Sequence, residues 1–179
     1  MTKEQPWKVM ESENVKVSKF TVKKEQVQLS NEDEMEFSYV SFPHGVCVLA
    51  LTEDNQVIML KQYRHAVRQW ELELPGGAID DNDSPLTTAK RELLEETGYQ
   101  ADQWINLGFV HPSAGSTSEA IHLFAAKGVY KAGEQTLEPS EEIEMQLVGM
   151  DELYELIGSG DFRHGAGLAA VLRYQCLED

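Results

Sequence analysis

Apolar residues recur at nearly every second position over the early part of the chain. Val15, Val17, Phe20 and Val22 come first, and Val27 and Leu29 follow a charged Lys23-Lys24-Glu25 stretch that reads as a turn. After a second, acidic turn (Asn31-Glu32-Asp33-Glu34), Met35, Phe37 and Tyr39 alternate again. A period of two puts successive side chains on opposite faces of a strand, so these residues predict a hairpin or three-stranded antiparallel piece. Residues 46–51 (VCVLAL) form an unbroken apolar run, the pattern of a strand covered on both faces, and 57–60 supply its hairpin partner. Residues 62–70 are mixed and read as irregular, and 71–74 (ELEL) as a short strand ended by Pro75-Gly76-Gly77.

The clearest helix covers 85–97. Asp83 or Ser84 caps it, Pro85 suits its first position and Gly98 the residue past its end. Strands are expected at 104–110, 121–126 and 143–148, with a loop at 111–119 and an acidic loop at 131–141. Two closing helices follow at 151–157 and 162–177, the second offering Leu168, Ala169, Val171, Leu172 and Cys176 to an inner face. This order predicts an α/β fold with helices flanking a mixed sheet. An N-terminal antiparallel strand extension over 1–42 precedes a main domain over 43–179.

Charge narrows the function. The 179 residues carry 15 Lys+Arg against 31 Asp+Glu, a formal net charge of −16. Such an excess of acid argues against nucleic acid and against an anionic membrane surface as partners, since both are held through Lys and Arg. It favours divalent metal, because crowded carboxylates repel one another until a cation lies between them. Cys47 and Cys176 are far apart in apolar contexts, which predicts two buried or half-buried thiols in a reducing compartment. The N-terminal stretch lacks a signal-peptide core and no run reaches the ~20 apolar residues of a membrane span, so a cytoplasmic protein is expected.

The chemistry concentrates on the helix at 85–97. Glu92, Glu95 and Glu96 share an arc of roughly 100° beside the apolar side formed by Leu86, Ala89, Leu93 and Thr97. Like charges so placed destabilise a helix, and its C-terminal end is the wrong end for acids. Arg91 offers partial compensation by pairing with Glu95, and a hard divalent ion offers the rest. The glycines at 76 and 77 let backbone groups approach a ligand closely. A solvated acidic face is the bland alternative for the helix taken alone.

Gly77, Asp83, Arg91, Glu92, Leu93, Glu95, Glu96, Gly98 and Tyr99 fall at the spacing G-x5-E-x7-R-E-U-x-E-E-x-G-U, so the stretch 77–99 resembles the Nudix box. Asp83 stands where the pattern has Glu, and Tyr99 where it has an aliphatic residue. The resemblance implies a Nudix α/β/α sandwich that hydrolyses a nucleoside diphosphate linked to another group, with Mg²⁺ or Mn²⁺ as cofactor. It implies Glu92 and Glu96 as metal ligands, Glu95 as a ligand or supporting acid, and the Gly76 carbonyl as a further ligand. The context around Arg64 and Glu71–Gly77, with the loop 113–119, resembles ADP-ribose pyrophosphatases and related nucleoside diphosphate sugar hydrolases. In that loop Ala114 replaces a proline common in the ADP-ribose enzymes, leaving GDP-mannose, other nucleotide sugars or dinucleotide polyphosphates open.

By the same resemblance Arg64 and Arg68 are candidates for the diphosphate, and Gly115 and Glu119 for the substrate loop. Glu141, then Glu142, is the candidate base. Relatives are commonly dimers built through N-terminal strands, so a homodimer is expected. Trp7, Phe20 and Tyr39 are candidates to stack on a base there, with core packing the default. The five histidines are scattered and read as structural or surface residues. A nucleotide-binding module that has lost catalysis is the alternative from another class, and the intact set of glutamates speaks against it.

Overall fold

The computed structural model describes residues 5–178, so the first four residues of the expected strand extension lie outside it. The chain divides into two compact units. One comprises the described residues up to Pro43 together with Ser113–Glu119, and the other His44–Pro112 with Ala120 onward.

The first unit is a three-stranded antiparallel sheet of β1 (Lys8–Val17), β2 (Phe20–Gln28) and β3 (Glu34–Ser41), in that order. Its first turn is not at Lys23-Lys24-Glu25. Those residues lie mid-strand in β2, and the chain reverses at Ser18-Lys19, where Ser18 takes a left-handed φ of 53°. Charged residues sit in a partly solvated strand as readily as they cluster in a turn, which is why the sequence misled there. The second reversal falls in the acidic segment as expected, closed by Leu29 N–H donating to the Asp33 carbonyl at 2.8 Å. The segment 113–119 joins this sheet through Val40 N–H donating to Ser116 O and Ser118 N–H to Val40 O.

The second unit is built on a six-stranded mixed sheet. Its main path runs β11 (Ile143–Gly149), β5 (Gln56–Arg64), β4 (Gly45–Leu51), β9 (Ile121–Lys127) and β8 (Gln103–Val110), and β6 (Gln69–Glu73) pairs with β5. Strands β4 and β9 run parallel and the other pairs antiparallel. The stretch expected to be irregular is half strand: β5 continues to Arg64 and β6 begins at Gln69. A small pair, β7 (Tyr99–Gln100) with β10 (Tyr130–Lys131), was not anticipated, each strand being only two residues long.

Every residue of β4 is buried, and its alternation sorts the core into two layers. Cys47, Leu49 and Leu51 face a cluster with Leu153 of helix α2 (Met150–Ser159) and Ala166, Ala170, Val171 and Tyr174 of helix α3 (Gly165–Glu178). Val46, Val48 and Ala50 face the other cluster, with Ala89 and Leu93 of helix α1 (Pro85–Thr97). Helices therefore cover both faces of one sheet. Helix α3 starts at Gly165 rather than 162; Val171 is buried and Leu168 and Ala169 pack against the core as expected, with Ala166, Ala170 and Tyr174 beside them. Leu172, at 62% exposure, and Cys176 point outward, contrary to expectation. Trp7 and Phe20 are also exposed rather than core, Trp7 packing edge-on against Phe37. Among the described residues no helix is long and apolar enough to cross a membrane.

Candidate active site

The glycine turn is fixed by the central strand. Strand β4 meets β5 in register only at Leu51 and Val57, and its earlier residues bond the turn instead. Val48 N–H donates to Pro75 O and Val46 N–H to Gly77 O, at 2.8 and 2.9 Å. With the carbonyls on either side given to β4, the Gly76 N–H faces the other way and donates to Glu96 Oε2 at 2.8 Å. Close approach requires glycine at 76, and at 77 a side chain would displace an acid of the site. A Cβ on residue 76 would collide with the Val46 carbonyl, and one on residue 77 with the Glu92 carboxylate.

Helix α1 carries the acids because its ends are locally specified. Ser84 has extended φ/ψ and its hydroxyl accepts from Thr87 N–H at 3.1 Å, Pro85 opens the first turn, and Gly98 closes the helix at φ 74° with its N–H on Leu94 O. Ala89, Leu93 and Thr97 are buried against the sheet, and Thr97 Oγ1 donates to Leu93 O. Packing that face takes Glu92 and Glu96 partly out of water with it, at 8% and 3% exposure.

Arg91 holds the acids together. Its Nη1 lies 2.9 Å from Glu92 Oε1 and 2.8 Å from Glu95 Oε2, and its Nη2 lies 3.1 Å from Asp80 Oδ2. Burial nonetheless raises the Glu92 carboxyl above the ordinary range; Arg91 opposes that shift while Glu95 and Glu141 add to it. Glu96 is raised to about 8, first by burial, against the Gly76 hydrogen bond, with Glu92 and Glu141 repelling its charge and Arg64 relieving it. These groups line a cavity of about 460 Å³, whose walls are Gly77, Ala78, Asp80, Arg91, Glu92, Glu95 and Glu96 together with Thr136, Leu137, Glu138 and Glu141 from a later loop.

The structure thus brings Glu92, Glu95, Glu96 and Glu141 to one cavity beside the glycine turn. Glu142 is exposed and lends its carbonyl to Tyr63 N–H. Arg64 binds Glu73 with two donors, Nε to Oε1 at 2.8 Å and Nη2 to Oε2 at 2.6 Å, and lines a second cavity with Glu71, Glu73, Arg163 and His164. Arg68 is exposed in the β5–β6 turn, with φ 56°. Gly115 and Glu119 belong to the first unit.

Glu73 escaped the sequence reading. The signal was present, since in ELEL both acids share one strand face and a buried acid on a strand needs a cation. His164 has a structural partner: its Nδ1 accepts from Leu74 N–H at 3.1 Å, and burial lowers its basicity.

The donor set suits a hard divalent cation. Glutamate and aspartate side chains from 80 to 96 and from the 138–141 turn supply carboxylate oxygens to the cavity, around the guanidinium of Arg91. Among the described residues, however, no three acidic, His or Cys side chains converge as they stand on a single metal position. Glu92 and Glu95 close on Arg91, and Glu96 on Gly76 N–H.

A mixed sheet between helices, with a glycine turn aimed at a glutamate-bearing helix, is a known architecture. Residues 41–170 match the NUDIX domain, and the chain belongs to that family. It is 31% identical over 156 residues to an ADP-ribose pyrophosphatase of Bacillus subtilis (strain 168), covering 87% of this chain and 84% of the relative. It is 34% identical over 134 residues to a methanol dehydrogenase activator of Bacillus methanolicus, covering 74% and 72%. A crystal structure of an ADP compounds hydrolase superposes with a TM-score of 0.84 over 98% of this chain and 95% of that one, at 21% identity, which speaks to the fold.

Proposed function

We propose that this chain is a Nudix pyrophosphohydrolase that cleaves ADP-ribose or a related nucleoside diphosphate sugar to a nucleoside monophosphate and a sugar phosphate. The observation that carries the reading is that Glu92, Glu95, Glu96 and Glu141 line one cavity beside the Gly76-Gly77 turn. Kinship to the B. subtilis ADP-ribose pyrophosphatase supports the substrate class. Glu92, Glu95 and Glu96, with the Gly76 carbonyl, would hold divalent metal, Mg²⁺ or Mn²⁺. When bound, such an ion neutralises diphosphate charge and makes water more acidic.

The chain's own groups do the rest. Glu141, which lines the same cavity, is the group assigned to accept a proton from attacking water. Arg64 spends its Nε and Nη2 edge on Glu73, which fixes the guanidinium plane and leaves the Nη1 edge for phosphate oxygens. The protein's own excess of negative charge repels such a substrate at long range, so local cations are needed to hold it.

We also assign a homodimer made through the first unit. Val15, Val17 and Phe20 are each over a third exposed, and the register Val15–Val22–Val40 and Val17–Phe20 puts them on one face of the sheet. Both cysteines are free thiols, which suits the cytoplasm.

A substrate panel tests the reading. With Mg²⁺ present, ADP-ribose should be turned over with kcat/KM above that for GDP-mannose and dinucleotide polyphosphates, yielding two monophosphates. Absence of turnover on every nucleoside diphosphate sugar would refute it.

A further inference from the structure

A helix leaves its last four carbonyls without partners inside the helix. In α1 these belong to Glu95, Glu96, Thr97 and Gly98, so two of the four come from the proposed metal-holding acids. All four are satisfied from one short stretch that runs from the end of β10 into the loop after it. Ala132 and Gly133 donate their N–H groups to Gly98 O at 2.8 and 3.0 Å. Lys131 Nζ lies 3.5 Å from Thr97 O, Gln135 Nε2 donates to Glu96 O at 2.6 Å, and Thr136 N–H donates to Glu95 O at 2.8 Å.

Immediately beyond this ladder the chain lines the cavity, at Thr136, Leu137, Glu138 and Glu141. That segment closes on itself as a turn. Glu141 N–H donates to Glu138 O at 3.0 Å, and Glu141 Oε2 accepts from Glu138 N–H at 2.7 Å. Gln135 and Thr136 are therefore the last fixed points before Glu141. They are fixed to the backbone of Glu95 and Glu96 themselves, 39 residues away along the chain in the case of Gln135.

From this geometry we infer that Gln135 is a positioning residue for the reaction: its amide registers the Glu141 loop against the metal-holding turn of α1. The inference rests on the proposed reading of Glu92, Glu95 and Glu96. Gln135 touches neither the cavity nor any acid side chain, so its effect passes through the loop. The amide serves there because its N–H donates to the negative end of the helix.

The test compares the parent with Gln135→Leu, which removes the donor at similar size, and Gln135→Lys, which retains one. Losing one positioning hydrogen bond should lower kcat for ADP-ribose about tenfold in Gln135→Leu, with KM within about twofold. Gln135→Lys should stay within about threefold of the parent. By hydrogen exchange, the Thr136 and Glu141 amides should exchange about tenfold faster in Gln135→Leu, while the Gly98 amide is unchanged.

Titration with Mn²⁺ alone should give the parent and Gln135→Leu affinities within about threefold, because the acids are untouched. The inference is overturned if Gln135→Leu keeps the parent kcat, if exchange accelerates equally through α1, or if Gln135→Lys falls as far as Gln135→Leu. A parent that binds no Mn²⁺ refutes the metal reading instead. The exchange of Thr136 and Glu141 then still decides whether Gln135 holds the loop.

Discussion

The acid face of α1 and the sheet of the first unit invert the usual partition of residues in opposite senses. On α1, Glu92 and Glu96 are buried although like charges surround them. On β1 all ten residues are exposed, Val9, Met10, Val15 and Val17 among them. Strand β4 shows what the chain does where neither applies: seven residues, all buried, sorted by alternation into two apolar layers. Departures from local consistency concentrate where a protein meets something other than itself. Buried carboxylates call for a cation, and a surface of exposed valines calls for another apolar surface.

The largest effect should come from the acids. Glu96→Gln keeps size and the acceptor for Gly76 N–H but removes the charge, so activity with Mg²⁺ should fall on the order of 10³-fold. Steady-state kinetics on ADP-ribose beside the parent checks this, and equal rates would leave the buried acids without a catalytic meaning.

Stability without divalent metal gives the next largest effect. The folded Glu96 carboxyl titrates near 8 against an ordinary 4.5, so the folded state binds the extra proton between those values. Stability from this group is complete below about 4.5 and is lost as pH rises through about 8. The loss is on the order of 2–4 kcal/mol by pH 8.5. Urea melts in chelator should show parent stability falling over that window and a much flatter course for Glu96→Gln. Excess Mn²⁺ should restore the parent at pH 8 by mass action and leave the variant where it was.

How far these features were legible depended on whether their causes were local. The ends of α1 were readable because Ser84, Pro85 and Gly98 each act within a few residues, and the ion pair of Arg91 with Glu95 because one helical turn separates them. The same Arg91 also reaches Glu92 and Asp80, which helical spacing alone did not announce. The inner face of helix α3 was read only in part: Val171 is buried and Leu168 and Ala169 pack against the core, but the small Ala166 and Ala170 hold its centre while the larger Leu172 is turned out. The Arg64–Glu73 pair joins two strands, and Gln135 reaches Glu96 from a loop, so both depend on tertiary placement. On β1 full exposure removed the burial that ordinarily makes alternation readable, and the turn into β2 was misplaced by several residues.

The valine face offers a third measurement. Val15→Lys with Val17→Lys puts two charges where apolar contact is expected, and should weaken self-association about 100-fold or more. Sedimentation velocity across micromolar concentrations checks it: a dimeric parent and a monomeric double variant are expected, and a monomeric parent would remove the second half of the comparison.

The smallest effect separates the scaffold of α1 from its acids. The Ser84 hydroxyl accepts from Thr87 N–H in the first turn, at the opposite end of the helix from Glu95 and Glu96. Ser84→Ala should therefore destabilise by about 1 kcal/mol, or about 2–4 °C in Tm for a chain of this size. That loss should be the same at pH 5 and pH 8, because no proton is linked to it, and kcat should match the parent. The contrast with Glu96→Gln is one of sign as well as size, since in chelator at pH 8 removing the acid stabilises the fold whereas removing the cap weakens it. If Ser84→Ala instead carried the same pH dependence as Glu96→Gln, the helix would be responding as one unit, and the burial of its acids could not be assigned to their own surroundings.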